Sequence, residues 1–308
     1  MVVAAGLSPA WQAIMRFRAL VPGEVNRATD VWRGASGKVV NVAIALHSLS
    51  CPHRAVTVLG GAAGRMVADD CARAGVTLSA VPTATATRTC TTLLDEASGR
   101  TTELVENAAP IAADELAAFV AAFGAAVDVA GAAVLSGSLP AATPATLYRD
   151  LLARTRCPAI LDARGPELLE ALPLRPLLVK PNREELARTV GRELATEDDV
   201  RGAIAGLVAR GARWVVVTDG PRPVVVAGPD GGRWRIAPPS LDRIENPIGS
   251  GDCLAAGCAA ALVAGREPLS AVVHGIACAA ANCGTLLAGR LDPADVARLE
   301  GLVAVETL

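Results

Sequence analysis

The chain has 308 residues, room for one large α/β domain with an appended element or for two domains. Apolar residues make up 52% and aromatics only 3%, so a sizeable core must rest on Ala, Val and Leu, and global disorder is excluded. A formal net charge of −2, no Lys/Arg block and no aromatic stacking platforms exclude a nucleic-acid binder.

The N-terminus lacks a basic region and Pro9 interrupts its short apolar run, so no signal peptide is expected. Residues 13–34 alternate polar and apolar positions, with Gly and Pro punctuation instead of helical periodicity. Gly34-Ala35-Ser36-Gly37-Lys38 then opens a helix at Asn41-Val42-Ala43. Ala55–Leu59 reads as a strand, followed by Gly60–Gly64 and a helix through Ala74. Residues 85–106 alternate again, and Cys90–Asp95, Glu96–Gly99 and Arg100–Leu104 predict a hairpin. Ala132–Ser136 is a strand ending at Gly137, with a helix near Thr143 to Thr155. Ala159–Asp162, Leu177–Lys180 and Trp214–Thr218 are further short apolar strands. Strands apolar throughout, each followed by a helix, predict a mostly parallel sheet covered on both faces. The two alternating segments predict a small second sheet, either a lid over the strand ends or an ordinary edge hairpin. Cys253–Leu262 is too short to span a membrane, and a cytoplasmic protein is expected. The eight cysteines form no C-x-x-C pair and read as reduced, buried thiols; His47, His53 and His274 read as structural.

Four stretches carry chemistry. Asn246-Pro247-Ile248-Gly249-Ser250-Gly251-Asp252 leads into the small-residue run Cys253–Ala264. A helix starting there aims unpaired N–H groups and a positive dipole end at whatever lies in front, and Asp252 sets a carboxylate beside them. An anion cradle plus a base is the minimum for moving a phosphoryl group onto a hydroxyl; a simply well-capped helix is the other reading. Lys38 and Asn41, three apart, share one side of a first helical turn, or are a solvated lysine and a capping asparagine. Ser136-Gly137-Ser138-Leu139-Pro140 sits at a strand's carboxyl end, where open parallel sheets bind ligands. In Lys180-Pro181-Asn182-Arg183-Glu184-Glu185, Asn182 and Glu185 suit a magnesium water shell, or a helix cap with Glu185 at its third position. Arg88 can clamp an anion, or be a surface charge. Gly60–Gly64 lacks the dinucleotide spacing.

In this order the motifs resemble the ribokinase-like, or PfkB, family of carbohydrate kinases over nearly the whole chain. Gly249-Ser250-Gly251-Asp252 is similar to the family's Gly-Ala-Gly-Asp core, and Gly37-Lys38 with Asn41-Val42-Ala43 to its N-terminal signature. Lys180-Pro181-Asn182 and Ser136–Pro140 look most like the branch that phosphorylates sugar phosphates, such as 1-phosphofructokinase and tagatose-6-phosphate kinase. The resemblance implies a single ribokinase-like domain over residues 1–308, with a discontinuous β lid from about 13–34 and 85–106. It implies an ATP- and Mg2+-dependent kinase of a phosphorylated ketohexose or similar sugar phosphate. The alternatives are a kinase of an unphosphorylated sugar or nucleoside, or a non-catalytic sugar-phosphate binder.

Carried over residue by residue, Asp252 is the base, kept ionised by the helix N-terminus, and Gly249, Ser250 and Gly251 form the anion hole. Lys180, Asn182 and Glu185 hold Mg-ATP, Glu185 reaching the metal through water. Thr218, Asp219 and Gly220 form a nucleotide-binding turn, and Asn282 lies near the adenine. Gln12, Gly37, Lys38, Asn41 and Ser138 line the sugar site, with Arg88 on its phosphate. Two lids could pair into a homodimer. Gln12 stands where the branch has an aspartate, Ser36 and Val39 where it has glycines, and Pro223 where a glycine follows the nucleotide turn.

Overall fold

Short apolar strands alternate with alanine-rich helices along most of the chain in the computed structural model, which describes residues 1–308. The first third comprises β1 (Val2–Ala5), β2 (Ala10–Phe17), β3 (Asp30–Ser36), α1 (Lys38–Ser48), β4 (His53–Leu59), α2 (Gly61–Arg73), β5 (Leu78–Pro82), β6 (Arg88–Asp95) and β7 (Arg100–Val105). The middle holds α3 (Ala113–Val127), β8 (Ala132–Ser136), α4 (Leu147–Leu152), β9 (Ala159–Asp162), α5 (Gly165–Ala171), β10 (Leu178–Val179), α6 (Arg183–Val190) and α7 (Glu197–Ala209). The chain ends with β11 (Trp214–Asp219), β12 (Arg222–Ala227), β13 (Arg233–Ala237), α8 (Ser250–Val263), α9 (Pro268–Cys283), α10 (Pro293–Glu300) and β14 (Ala304–Thr307).

Ten strands form one sheet in the order β14-β13-β12-β11-β10-β9-β8-β1-β4-β5. From β5 to β11 every pairing is parallel; from β11 to β14 they are antiparallel. Alternation along β1 shows why the strands are apolar throughout. Val2 and Ala4 belong to one buried cluster, with α1, α8 and α9, while Val3 and Ala5 belong to another, with α3, α4 and α7. Both faces are dry, as parallel strands flanked by crossover helices require.

Two boundaries differ from the sequence reading. The helix expected near Thr143–Thr155 is only Leu147–Leu152, because Pro140, a left-handed Ala142 (φ 64°) and Pro144 hold the preceding residues in turns. The run Val2–Ala5, too short to be read as an element, is the central strand between β4 and β8. Four strands form a second, small sheet in the order β3-β2-β6-β7, in which the expected hairpin pairs Asp95 with Arg100. Its strand β3 runs straight into α1 through Gly37 (φ 91°), where a side chain would stand 2.5 Å from the Ser8 carbonyl. The Asp70 carboxylate on α2 accepts the Ala35 N–H at 2.8 Å and ties this sheet to the body.

No helix is long and apolar enough to cross a membrane. All eight cysteines are free; five are buried, and Cys51, Cys157 and Cys283 are half-buried. Between α8 and α9 they act as small hydrophobes. A side chain on Gly257 would meet the Cys278 Sγ at 2.6 Å, and one on Gly275 the Cys258 Sγ at 2.6 Å. Burial pushes the Cys258 thiol up to about 12.

Candidate active site

A cavity of about 1080 Å³ opens at the carboxyl ends of the parallel strands, roofed by the small sheet. Eleven of the polar lining residues were picked out in the sequence: Gln12, Lys38, Asn41, Arg88, Ser138, Lys180, Asn182, Glu185, Thr218, Ser250 and Asp252.

The turn before α8 is built to leave N–H groups free. Asn246 folds it, its carbonyl oxygen taking the Ile248 N–H at 3.1 Å and its amide donating to the Leu286 carbonyl at 2.9 Å. Gly249 is left-handed (φ 85°), and a side chain there would come 2.4 Å from the Ala288 Cβ. Beyond it the N–H groups of Gly251 and Asp252 have no backbone acceptor and face the cavity mouth of the helix. Ser250 turns its hydroxyl back onto the Pro247 carbonyl at 2.8 Å, so it contributes backbone to the turn.

Asp252 is 5% exposed, and Asn41 Nδ2 donates to its Oδ2 at 2.7 Å. Its carboxyl is pushed up to about 7, first by burial and then by the Asp162 carboxylate, against the pull of Lys38, Lys180 and the Asn41 hydrogen bond. The helix end is expected to keep this carboxyl ionised at neutral pH; burial instead lifts it to the edge of neutrality. A carboxyl poised near neutrality is the outcome.

Lys38, expected at the sugar, lines the cavity and is paired with two carboxylates. Its Nζ lies 3.2 Å from Asp162 Oδ1 and 3.2 Å from Glu185 Oε1. Burial opposes its charge, but Asp162, Glu185 and Asp252 outweigh it and hold the ammonium above its ordinary range. Lys180 is 3% exposed and its Nζ meets the same Asp162 oxygen at 3.3 Å. Asp162 stays ionised despite complete burial, because the two lysines lower it by more than desolvation raises it. Asn182 and Glu185 form a capping box on α6, in which the Asn182 side chain accepts the Glu185 N–H at 2.7 Å and Glu185 Oε2 accepts the Asn182 N–H at 3.0 Å. The cap reading holds, and both residues line the cavity as well.

The small sheet presents Ala10, Gln12, Arg88, Cys90, Glu103 and Val105 to the cavity, alternate residues of three neighbouring strands. The Gln12 amide donates to Thr92 Oγ1 at 2.7 Å. Arg88 is braced by two carbonyls, Nη1 donating to Glu106 at 3.1 Å and Nη2 to Ser8 at 3.1 Å, while its buried Nε has no partner. Gly37, Thr218 and Gly220 line the cavity.

Two expected nucleotide residues do not. Asp219 pairs with Arg183 at 3.2 Å and Arg222 at 3.0 Å outside the lining, because the hairpin from β11 to β12 turns its side chain onto α6. Asn282 has no exposure. Its amide donates to the Ile248 carbonyl at 2.9 Å and Ser250 Oγ at 3.1 Å, and its oxygen accepts the Gly289 N–H at 2.9 Å. It braces the turn from inside; its neighbours Ala279, Ala280 and Cys283 reach the cavity.

The family model for pfkB family carbohydrate kinases matches residues 8–294. The chain belongs to this family. It is a phosphotransferase with an alcohol acceptor, and the ribokinase-like fold is shared with solved structures. Phosphofructokinase-2 from Escherichia coli, in complex with fructose-6-phosphate, is 26% identical with a TM-score of 0.84, covering 97% of this chain and 98% of that one. A protein of Thermotoga maritima described as a possible 1-phosphofructokinase is 22% identical with a TM-score of 0.91, covering 100% and 99%. Arabidopsis thaliana ribokinase, complexed with ribose and ATP, is 20% identical with a TM-score of 0.74, covering 97% and 98%.

In this PfkB kinase the sequence reading missed Asp162 and Thr92 as parts of the site, and gave Asn246 no role of its own. Asp162 carried a signal: an aspartate ending an otherwise apolar strand at the sheet's ligand edge. Thr92 carried none, since its use depends on a partner across the small sheet.

Proposed function

We propose that the protein transfers the γ-phosphoryl group of ATP to a hydroxyl of a phosphorylated ketohexose or a similar sugar phosphate. The observation that carries this reading is the buried Asp252 carboxyl at the first turn of α8, beside the free N–H groups after Gly249 and in one cavity with Lys38 and Lys180. Transfer of this kind is largely dissociative, so positioning and charge neutralisation do most of the work. Asp252 takes the acceptor's proton late, and a carboxyl poised at about 7 suits that exchange. Asn41 aims it. The Gly249–Gly251 backbone holds the phosphoryl oxygens.

Asn182 and Glu185 line the cavity together at the start of α6. Such a sparse oxygen donor set fits Mg2+, which keeps most of its waters and takes few protein ligands, Glu185 through water and Asn182 beside it. The metal would supply neutralisation of the phosphate charge. The fold is read as one catalytic domain, whose small sheet closes over the sugar. Its outer strand β7 exposes Leu104 and Val105, 55% and 50% accessible, where a second copy could pair.

ADP release in the presence of magnesium, screened over phosphorylated and free sugars, tests the reading. Phosphorylated ketohexoses are expected to turn over fastest, and Asp252→Asn to lower turnover at least ~10²-fold with nucleotide binding intact. Turnover within a few-fold of wild type would remove Asp252 as the base. A second reading, an unphosphorylated acceptor, is favoured by the same sheet: Arg88 is already bonded to two carbonyls, and the Glu103 carboxylate faces the cavity near it. If Arg88→Ala leaves the KM of the best acceptor unchanged, no substrate phosphate is held there.

A further inference from the structure

Asp162 ends β9 at the ligand edge of the large sheet, and its side chain has no exposure to water. A buried carboxylate is costly unless paired and hydrogen-bonded, and Asp162 is both. Its Oδ1 accepts from Lys38 Nζ at 3.2 Å and from Lys180 Nζ at 3.3 Å, and its Oδ2 accepts from Ser136 Oγ at 3.3 Å. Lys38 arrives from the first turn of α1 and Lys180 from the end of β10. One oxygen thus joins two ammonium groups from distant parts of the chain, on the wall of the cavity they all line.

The placement of the lysines matters. A side chain on Gly251 would stand 3.1 Å from Lys180 Nζ, so this ammonium lies over the first turn of α8. Asp162 is the only ionic partner of Lys180, whereas Lys38 also has Glu185. Lysine is a point charge on a flexible stem, and without a fixed counter-charge a buried Lys180 ammonium and a half-buried Lys38 ammonium sharing one oxygen would repel each other apart.

We propose that Asp162 is a positioning residue of the phosphoryl-transfer centre, holding Lys38 and Lys180 as a pair at the N-terminus of α8. This inference rests on the kinase reading, since an anion in transit is what gives the paired cations a use. Two cations already gathered do not have to be ordered when the transferring group arrives. Asp162 does not touch the reacting atoms; it acts through the lysines. It also acts on Asp252. The groups facing that carboxyl are Lys38 and the Asn41 amide from α1, Asp162 from β9 and Lys180 from β10. Of these Asp162 alone favours the protonated form, so its removal lets Asp252 ionise at lower pH.

The test is Asp162→Asn, a change of charge at nearly constant volume, alone and combined with Lys180→Met. In the single variant kcat is expected to fall on the order of 10²-fold, the scale of an ångström's misplacement, with the acceptor KM within a few-fold of wild type. The acidic limb of the kcat/KM profile moves to lower pH, which a merely structural defect would not produce. Measured against Lys180→Met alone, Asp162→Asn should cost less than it does in the wild type, because one of its two targets is already gone and there is no longer a pair to hold. Should Asp162→Asn fail to fold, Ser136→Ala removes only the hydrogen bond to Oδ2 and is expected to lower kcat a few-fold without moving the pH limb. A folded Asp162→Asn enzyme with near wild-type kcat, losses that simply add in the double variant, or an unchanged Ser136→Ala where only that variant folds, overturns the proposal. Those outcomes leave the kinase reading standing; a wild-type protein that phosphorylates no acceptor overturns both.

Discussion

Replacing Asp252 by Asn should stabilise the ligand-free protein above neutral pH while removing its activity. The carboxyl has an ordinary value of 3.8 and sits at about 7 in the fold, raised first by burial and then by Asp162. Below pH 3.8 the folded and unfolded chains both carry the proton, and the group does not affect stability. Between 3.8 and about 7 the unfolded chain releases it while the folded chain keeps it, so stability falls as pH rises. At 1.36 kcal/mol per pH unit, the loss reaches about 4 kcal/mol by pH 8 and then levels off. An asparagine carries no charge to bury, and its carbonyl oxygen can still accept from Asn41 where Oδ2 now does at 2.7 Å. Urea unfolding of both proteins at pH 5 and pH 8 measures the difference. The variant's advantage should grow by about 2–3 kcal/mol over that range. Equal pH dependence in the two proteins, or a variant less stable at pH 8, would refute the account of Asp252 as a buried, strained base.

Other expectations follow from contacts in the site. Gly249→Ala must place a Cβ 2.4 Å from Ala288 at a left-handed position, so turnover should fall at least ~10²-fold with some loss of thermal stability; a variant of normal kcat would show the turn to be dispensable. Thr92→Val leaves the buried Gln12 amide only the long 3.4 Å contact to the Ala13 carbonyl, which should cost about 1 kcal/mol by urea unfolding and raise the acceptor KM without changing the ATP KM. Asn282→Ala distinguishes a brace from an adenine contact. As a brace its loss lowers stability and kcat together, and a change confined to the ATP KM would contradict its burial.

Much of the site was legible because its pieces are local. Gly249, Ser250 and Gly251 announce a tight turn into a helix, and the capping relation of Asn182 to Glu185 is fixed by a spacing of three on one helix. The hairpin from Arg88 to Val105 follows from alternation and a Gly-bearing turn. The resemblance placed Asp219 and Asn282 on the nucleotide, yet it is their neighbours in sequence that line the cavity. Neither a β-hairpin's twist nor the face of a buried helix is set by the residues next in line.

The sequence by itself determined the layers: apolar strands buried on both faces, helices between them, a small sheet from two alternating segments, and a glycine-bearing turn at the start of α8. These rest on periodicities of a few residues and on glycines at backbone positions that other residues rarely adopt. Tertiary structure alone decided the electrostatics. Lys38 and Asp162 are 124 residues apart, and Asn41 and Asp252 are 211. The charge state of Asp252 is a sum over four elements that meet only in the fold, and burial sets its sign. For the same reason the spacing that sets Lys38 beside Asn41 could not show that it meets the carboxylates of Asp162 and Glu185.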